Sequence, residues 1–139
     1  MPRIQLAPWA TAKAEARRIR FAVFVEEQGV PAEIELDEMD EHCVHALAFE
    51  GSEAVGTGRL LPDGHIGRMA VLRDWRGRGV GAALLRRLIQ AARERGDAEV
   101  VLSAQVHALG FYRAHGFAAH GGVYEEAGIP HQEMRLALR

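Results

Sequence analysis

The stretch from Ile66 to Ala92 constrains the fold more than any other part of the chain. Ile66, Met69, Ala70, Val71 and Leu72 read as a strand. Arg76, Gly77, Arg78, Gly79, Val80 and Gly81 follow as a glycine-rich turn, and Val80, Leu84, Leu85, Leu88, Ile89 and Ala92 then mark one face of an amphipathic helix that Gly96 stops. Glycines at alternate positions remove Cβ atoms, so the backbone can adopt positive φ and turn several N–H groups toward one ligand. The first N–H groups of the following helix lack intrahelical partners and lie at the positive end of its dipole, where phosphates are held. With Arg76 and Arg78 beside it, the turn reads as a cradle for a diphosphate-bearing cofactor; the structural alternative is a tight strand-to-helix turn with two solvated arginines.

The remaining pattern supplies a sheet for this unit. Ile4 to Leu6 reads as a short strand, and Ala12, Ala16, Ile19 and Val23 recur at helical spacing from about Thr11 to Val25. Glu33 to Glu41 carries six carboxylates (Glu33, Glu35, Asp37, Glu38, Asp40, Glu41) and reads as a solvated loop or short helix, with a cationic-substrate site as the lesser alternative. Val44 to Phe49, Ala54 to Leu61 and the strand from Ile66 form an antiparallel meander with turns at Gly51–Ser52 and Pro62–Gly64. Val100 to Leu102 is a continuous apolar run, and a strand-helix-strand crossover of this length implies a parallel pair. A short helix over Ala108 to His115, a strand beginning at Phe117 to Ala119, a loop from Tyr124 to Pro130 and a closing strand over Glu133 to Leu138 complete the chain. The expectation is one α/β domain over residues 1–139, a mixed sheet of six to seven strands flanked by about four helices.

A net charge of −2 gives no electrostatic case for nucleic acid. A single cysteine, Cys43, excludes an internal disulfide and any multi-cysteine zinc site, and it reads as a buried small hydrophobe. No metal is expected. Met1 to Leu6 has no apolar leader core, and no apolar run approaches the roughly 18 residues of a membrane span, so the expectation is a cytoplasmic protein with no membrane contact, monomeric or homodimeric.

Three cofactors compete for the cradle. A P-loop needs Gly-Lys-Ser/Thr, and no lysine is near. Gly77, Gly79 and Ala82 fit the dinucleotide fingerprint, but that pattern expects an acidic residue ending the next strand, whereas Glu99 begins it. Arg76 to Gly81 instead resembles the Arg/Gln-x-x-Gly-x-Gly/Ala signature of the GCN5-related N-acetyltransferases. Gln105, Ala108, Tyr112, Gly116 and Phe117 resemble that family's second block, with Gln105 where Asn is usual. Val23 to Pro31 and Gly128 to His131 are similar to its small bacterial ElaA/YjcF-like branch, and the matched blocks cover nearly all of the chain from Arg20 onward.

The resemblance implies a splayed sheet that admits acetyl-CoA as co-substrate. Arg76, Gly77, Arg78, Gly79, Val80, Gly81 and Ala82 would hold its pyrophosphate, Met69, Ala70 and Val71 its acetyl and pantetheine arms, and Gln105 would add a side-chain contact. The implied reaction is direct transfer of the acetyl group to a primary amine of a small molecule or peptide in a ternary complex. Tyr112 would be the general acid. An alkylamine with a pKa of about 10.4 must lose a proton before it attacks, so a base or water relay is required. Glu27, His45 and His131 fall in the branch's runs and are the candidates for base or acceptor contact; each also has an ordinary structural reading. The alternatives are transfer of a longer acyl chain, or a non-catalytic acyl-CoA-binding or regulatory module.

Overall fold

The computed structural model describes residues 2–35 and 37–139; Met1, at the head of the segment read for a leader, and Leu36, inside the acidic stretch, lie outside them. The chain runs β1 (Arg3–Ala7), α1 (Trp9–Arg20), a π-helical segment (Phe21–Glu27), α2 (Ala32–Glu35), a 3₁₀ turn (Glu38–His42), β2 (Val44–Glu50), β3 (Glu53–Leu60), β4 (Ile66–Val71) and a 3₁₀ turn (Arg73–Trp75). It continues with α3 (Val80–Arg95), β5 (Glu99–Gln105), a 3₁₀ turn (Val106–Ala108), α4 (Leu109–Ala114), β6 (Ala118–Glu126) and β7 (Ile129–Ala137).

Strands β1 to β4 form one antiparallel sheet in chain order, and β5, β7 and β6 form a second. Strands β2 and β3 are buried on both faces because α1 and α3 cover opposite sides of them. Leu47 packs with Ala12 and Ala16 of α1, whereas its neighbours Ala46 and Ala48 join Leu84, Leu85 and Leu88 of α3. Each of those leucines contributes roughly 1.5–3 kcal/mol by leaving water. Small residues in the sheet let α3 approach this closely. A Cβ on Gly56 would lie 2.9 Å from Leu84 Cδ1 and 3.0 Å from Val80 Cγ1, and one on Gly58 would lie 2.9 Å from Leu88 Cδ1.

Among the described residues the two sheets meet only at one end. His65 and Val101 form a single parallel bridge, and the Val101 N–H donates to the Gly64 carbonyl at 3.1 Å. Gly64 is required there: its φ is +93°, and a Cβ would stand 2.9 Å from the Glu99 carbonyl oxygen. Beyond this junction β4 and β5 diverge. The β3–β4 register shifts between Thr57 and Arg59, and Arg68 on the bulged side has φ +50°, a left-handed backbone that costs a non-glycine residue on the order of 1 kcal/mol. The parallel pairing expected for β4 and β5 is therefore confined to one bridge, and the opening between the strands is the principal cleft.

Three local readings change. The first helix ends its α-turns at Arg20 and continues to Glu27 with π-helical turns. The acidic stretch is not a solvated loop throughout, because Glu35 and Asp40 are buried. Tyr124 to Pro130 is not a loop: β6 extends to Glu126, Ala127 and Gly128 turn the chain with φ of +52° and +76°, and β7 begins at Ile129. Both positive φ values are those of a two-residue hairpin turn. Pro130 is tolerated because it lies beyond the last β5–β7 pair, Gln105 with His131.

Candidate active site

Strand β4 and the loop after it form the first wall. The Leu72 N–H donates to Val55 at 2.9 Å, so by antiparallel alternation the polar groups of Val71, opposite Gly56, point away from β3 into the cleft. The Val71 carbonyl accepts from Arg76 Nε at 2.9 Å. Gly77 and Gly79 have φ of +75° and +82°, with no atom within 4 Å of where a Cβ would be. Gly79 precedes α3 without a side-chain cap, and the first turn of that helix carries no acidic residue. Its free N–H groups and the open glycine backbone thus fit a pyrophosphate. Arg78 lies over the Trp75 ring, 5.0 Å from its centroid.

The cleft has a volume of about 670 Å³ and brings Met69, Ala70, Val71, Arg76, Gln105, Tyr112 and His131 together. Gly77, Arg78, Gly79, Val80, Gly81 and Ala82 follow Arg76 beyond its rim. Glu27 stands beside the rim, where its carboxylate takes Arg76 Nη2 at 2.7 Å, Arg76 Nη1 at 2.9 Å and Arg73 Nη2 at 3.3 Å. The hydrogen bonds from Arg76 hold the Glu27 carboxyl below its ordinary pKa, which disfavours proton uptake. His45 lies outside the cleft. It is 1% exposed, stacks near Trp9 and donates from Nε2 to the Asp40 carbonyl at 2.8 Å; burial lowers its pKa.

Tyr112 packs edge-to-face against Phe111 and Phe117, and burial raises the pKa of its phenol, which keeps the hydroxyl protonated. His131 is buried against the cleft. Its Nδ1 lies 2.7 Å from the Ile129 carbonyl, which can only accept, so the proton of the neutral ring is on Nδ1 and Nε2 carries the lone pair. A Glu126 carboxylate oxygen is 3.6 Å from Nε2, and Tyr124 stacks on the ring while sharing a hydrogen bond with Ser103. Gln105 donates to Gln28 at 3.0 Å and accepts from His107 at 2.7 Å.

Sequence reasoning did not single out Ser103, Glu126, Gln28 and Arg68 for the cleft wall, and it held Glu35 only as one of the acidic stretch's lesser candidates. The strand alternation of β5 places Ser103 and Gln105 on one face and was a usable signal; nothing local marked the others. Glu35 belongs to a buried ionic cluster. Arg20 engages Glu35 through Nε and Asp40 through Nη1 at 2.9 Å and Nη2 at 3.0 Å. Arg59 donates twice to Asp37, both at 2.8 Å, and to Asp40 at 2.9 Å. The Arg59 bonds hold the Asp37 carboxyl down at about 2. Burial pushes Asp40 up, yet Arg20 and Arg59 leave it below its ordinary value. The cluster ties α1, α2, β3 and β4 together at the end of the cleft away from the glycine loop.

Splayed strands with open backbone groups, and a glycine cradle at a helix N-terminus beside them, define the class of acyl-CoA-dependent acyltransferases. The chain matches the acetyltransferase (GNAT) domain over residues 10–138 and belongs to that family. It is 38% identical over 124 residues to the uncharacterized N-acetyltransferase YjcF of Bacillus subtilis (strain 168), covering 86% of this chain and 89% of YjcF. The fold superposes on an acyl-CoA N-acyltransferase from Pseudomonas aeruginosa with a TM-score of 0.88 at 33% identity, covering 99% of this chain and 100% of that one. Escherichia coli ElaA gives a TM-score of 0.86 at 31% identity, with 97% and 99% covered. The protein is an acyl-CoA-dependent N-acyltransferase, and acetyl-CoA is its co-substrate. Among the described residues, no helix is long and apolar enough to cross a membrane.

Proposed function

We propose that the protein transfers the acetyl group of acetyl-CoA directly to a primary amine in a ternary complex, with His131 as the base and Tyr112 as the acid. The observation that carries this reading is the fixed tautomer of His131, whose Nε2 lone pair belongs to a cleft also lined by Val71 and Tyr112. In the reaction the amine nitrogen attacks the thioester carbonyl carbon. A C–N bond forms, the C–S bond breaks, the amine proton passes to His131 Nε2, and the departing thiolate takes the Tyr112 hydroxyl proton. Glu126 sits where it stabilises the imidazolium. The Val71 N–H, which points away from β3, is a donor available to the developing oxyanion. The Arg76 loop and α3 N-terminus anchor the pyrophosphate, and Gln105, opposite His131 in the β5–β7 register, lines the same cleft.

The test is free-thiol release from acetyl-CoA against a panel of amines, with mass spectrometry of the product. N-acetylated product from wild type and its loss in His131→Ala and Tyr112→Phe are expected. Tight acetyl-CoA binding with no thiol release on polyamines, amino acids, aminoglycosides and peptide N-termini alike would overturn the catalytic reading in favour of an acyl-CoA-binding module.

A further inference from the structure

Arg68 differs from the other two arginines of the buried cluster. Arg20 and Arg59 have both of their terminal nitrogens bonded to Glu35, Asp37 and Asp40, and these contacts occupy the carboxylates. Arg68 makes one hydrogen bond among the described residues, Nη2 to an Asp37 oxygen at 3.1 Å, and that oxygen is already taken by Arg59 at 2.8 Å. Its Nε, like that of Arg59, is buried without a partner among the described residues, and it lies 3.9 Å from a Glu35 oxygen bonded to Arg20. The side chain is 28% exposed, and what it borders is the cleft. A guanidinium with unused donors is thus held at the cleft wall by a bulged, left-handed backbone position, one residue before the Met69–Val71 segment.

The opposite wall carries the complementary charge. Glu126, with its side chain 55% exposed, stands beside His131, and between these walls the lining includes Val30, Ile34, Ile66 and Ile129. A cation with spare planar donors suits a carboxylate, which accepts two parallel N–H bonds. A carboxylate and an imidazole lone pair suit an amine. Resting on the acetyltransferase reading above, we infer that the acceptor is an amine that also bears a carboxylate on an apolar body, its acid group held by Arg68 and its amine directed to His131.

The matched probes are L-leucine, L-leucinamide and 3-methylbutylamine, with longer ω-amino acids and their amides tested in parallel. Acids are expected to show KM about tenfold to a hundredfold below their amides, the effect of a charged bidentate contact. Arg68→Gln should abolish that preference by raising KM for the acids more than for the amides until the two agree, with Arg68→Lys recovering part of the difference. Asp37 keeps both Arg59 bonds in either variant, so folding is expected to survive, and a thermal melt checks it. Equal KM for acids and amides in wild type, or an equal rise for both in Arg68→Gln, would overturn the inference while leaving acetyl transfer intact. Calorimetric binding of N-acetyl-leucine and N-acetyl-leucinamide to the CoA-saturated protein reads the same preference without turnover. There, a preference for the acid supports the inference, and its absence counts against it even if catalysis fails.

Discussion

Glu27 and Arg76, separated by 49 positions in the chain, form a two-point ion pair that ties the π-helical segment after α1 to the glycine loop after β4. Arg76 is the residue expected to meet the pyrophosphate, so Glu27 competes with the diphosphate for its guanidinium. Glu27→Gln should tighten acetyl-CoA severalfold by calorimetry, and Arg76→Ala should weaken it by about tenfold, consistent with one charge-assisted contact. Because Arg76 is 43% exposed, the stability lost in Glu27→Gln should stay within about 1 kcal/mol. Weaker acetyl-CoA binding in Glu27→Gln would show that the pair orients Arg76 for the ligand instead.

Tyr112→Phe removes the hydroxyl from a ring whose packing against Phe111 and Phe117 is retained. The rate should fall by about a hundredfold or more, with acetyl-CoA affinity unchanged. Burial raises the Tyr112 pKa, so the alkaline loss of wild-type activity caused by this group belongs above pH 10. A Phe variant with the wild-type rate across pH would remove Tyr112 from the mechanism.

His131→Ala should lower kcat by about a hundredfold to a thousandfold and respond to added imidazole, because the side chain leaves space facing the cleft. His45→Ala is expected to act differently. His45 touches Trp9 and the Asp40 carbonyl and not the cleft, so its loss should lower the melting temperature with little change in KM. The opposite pattern for the two histidines would exchange their roles.

Asp40→Ala leaves Arg20 and Arg59 buried with part of their compensation gone, which should cost about 3–5 kcal/mol in a urea titration. The acid dependence has a definite sign. Asp37 has a folded pKa of about 2, below its unfolded value, so its stabilisation is complete above the unfolded carboxylate range near pH 4 and is lost as pH falls toward 2. Unfolding midpoints at pH 7, 4 and 2.5 should decline in that window, and Asp37→Asn should start lower and decline less.

Gly56→Ala places a methyl group 2.9 Å from Leu84 Cδ1 and 3.3 Å from the Ala70 carbonyl oxygen. Leu84 is fully buried and cannot swing outward, so a cost of about 1–3 kcal/mol is expected from chemical denaturation. A neutral outcome would mean that α3 can move off the sheet without penalty.

The turn from Arg76 to Gly81 was legible because its determinants are local: glycine spacing, a preceding apolar strand and a following helical stripe. The same holds for the β2–β4 meander and for Gly96 at the end of α3, where φ is +88°. The β6–β7 hairpin was not legible, since Tyr124 to Pro130 contains a glycine and a proline and reads as loop chemistry; only the absence of β5 beyond Gln105 makes Pro130 acceptable in a strand. In the candidate site, the motifs around Met69–Val71, Arg76 and Tyr112 named residues that the fold brings to the cleft. The separation of His131 from His45 and Glu27 was not legible in this way, because the three differ in what surrounds them and not in local sequence.

The sequence by itself determined the strand, glycine loop and helix that are proposed to cradle a pyrophosphate, since short-range backbone freedom and hydrophobic periodicity suffice to form them. Tertiary structure alone decided the acceptor side. Arg20, Arg59 and Arg68 lie on three different elements, α1, β3 and β4, and the six acidic residues of the 33 to 41 stretch look equivalent in the chain. Only folding chooses which carboxylates are desolvated against which guanidinium groups. It is that choice which leaves Arg68 with a single shared hydrogen bond at the wall of the cleft, while Arg20 and Arg59 spend both terminal nitrogens on the carboxylates.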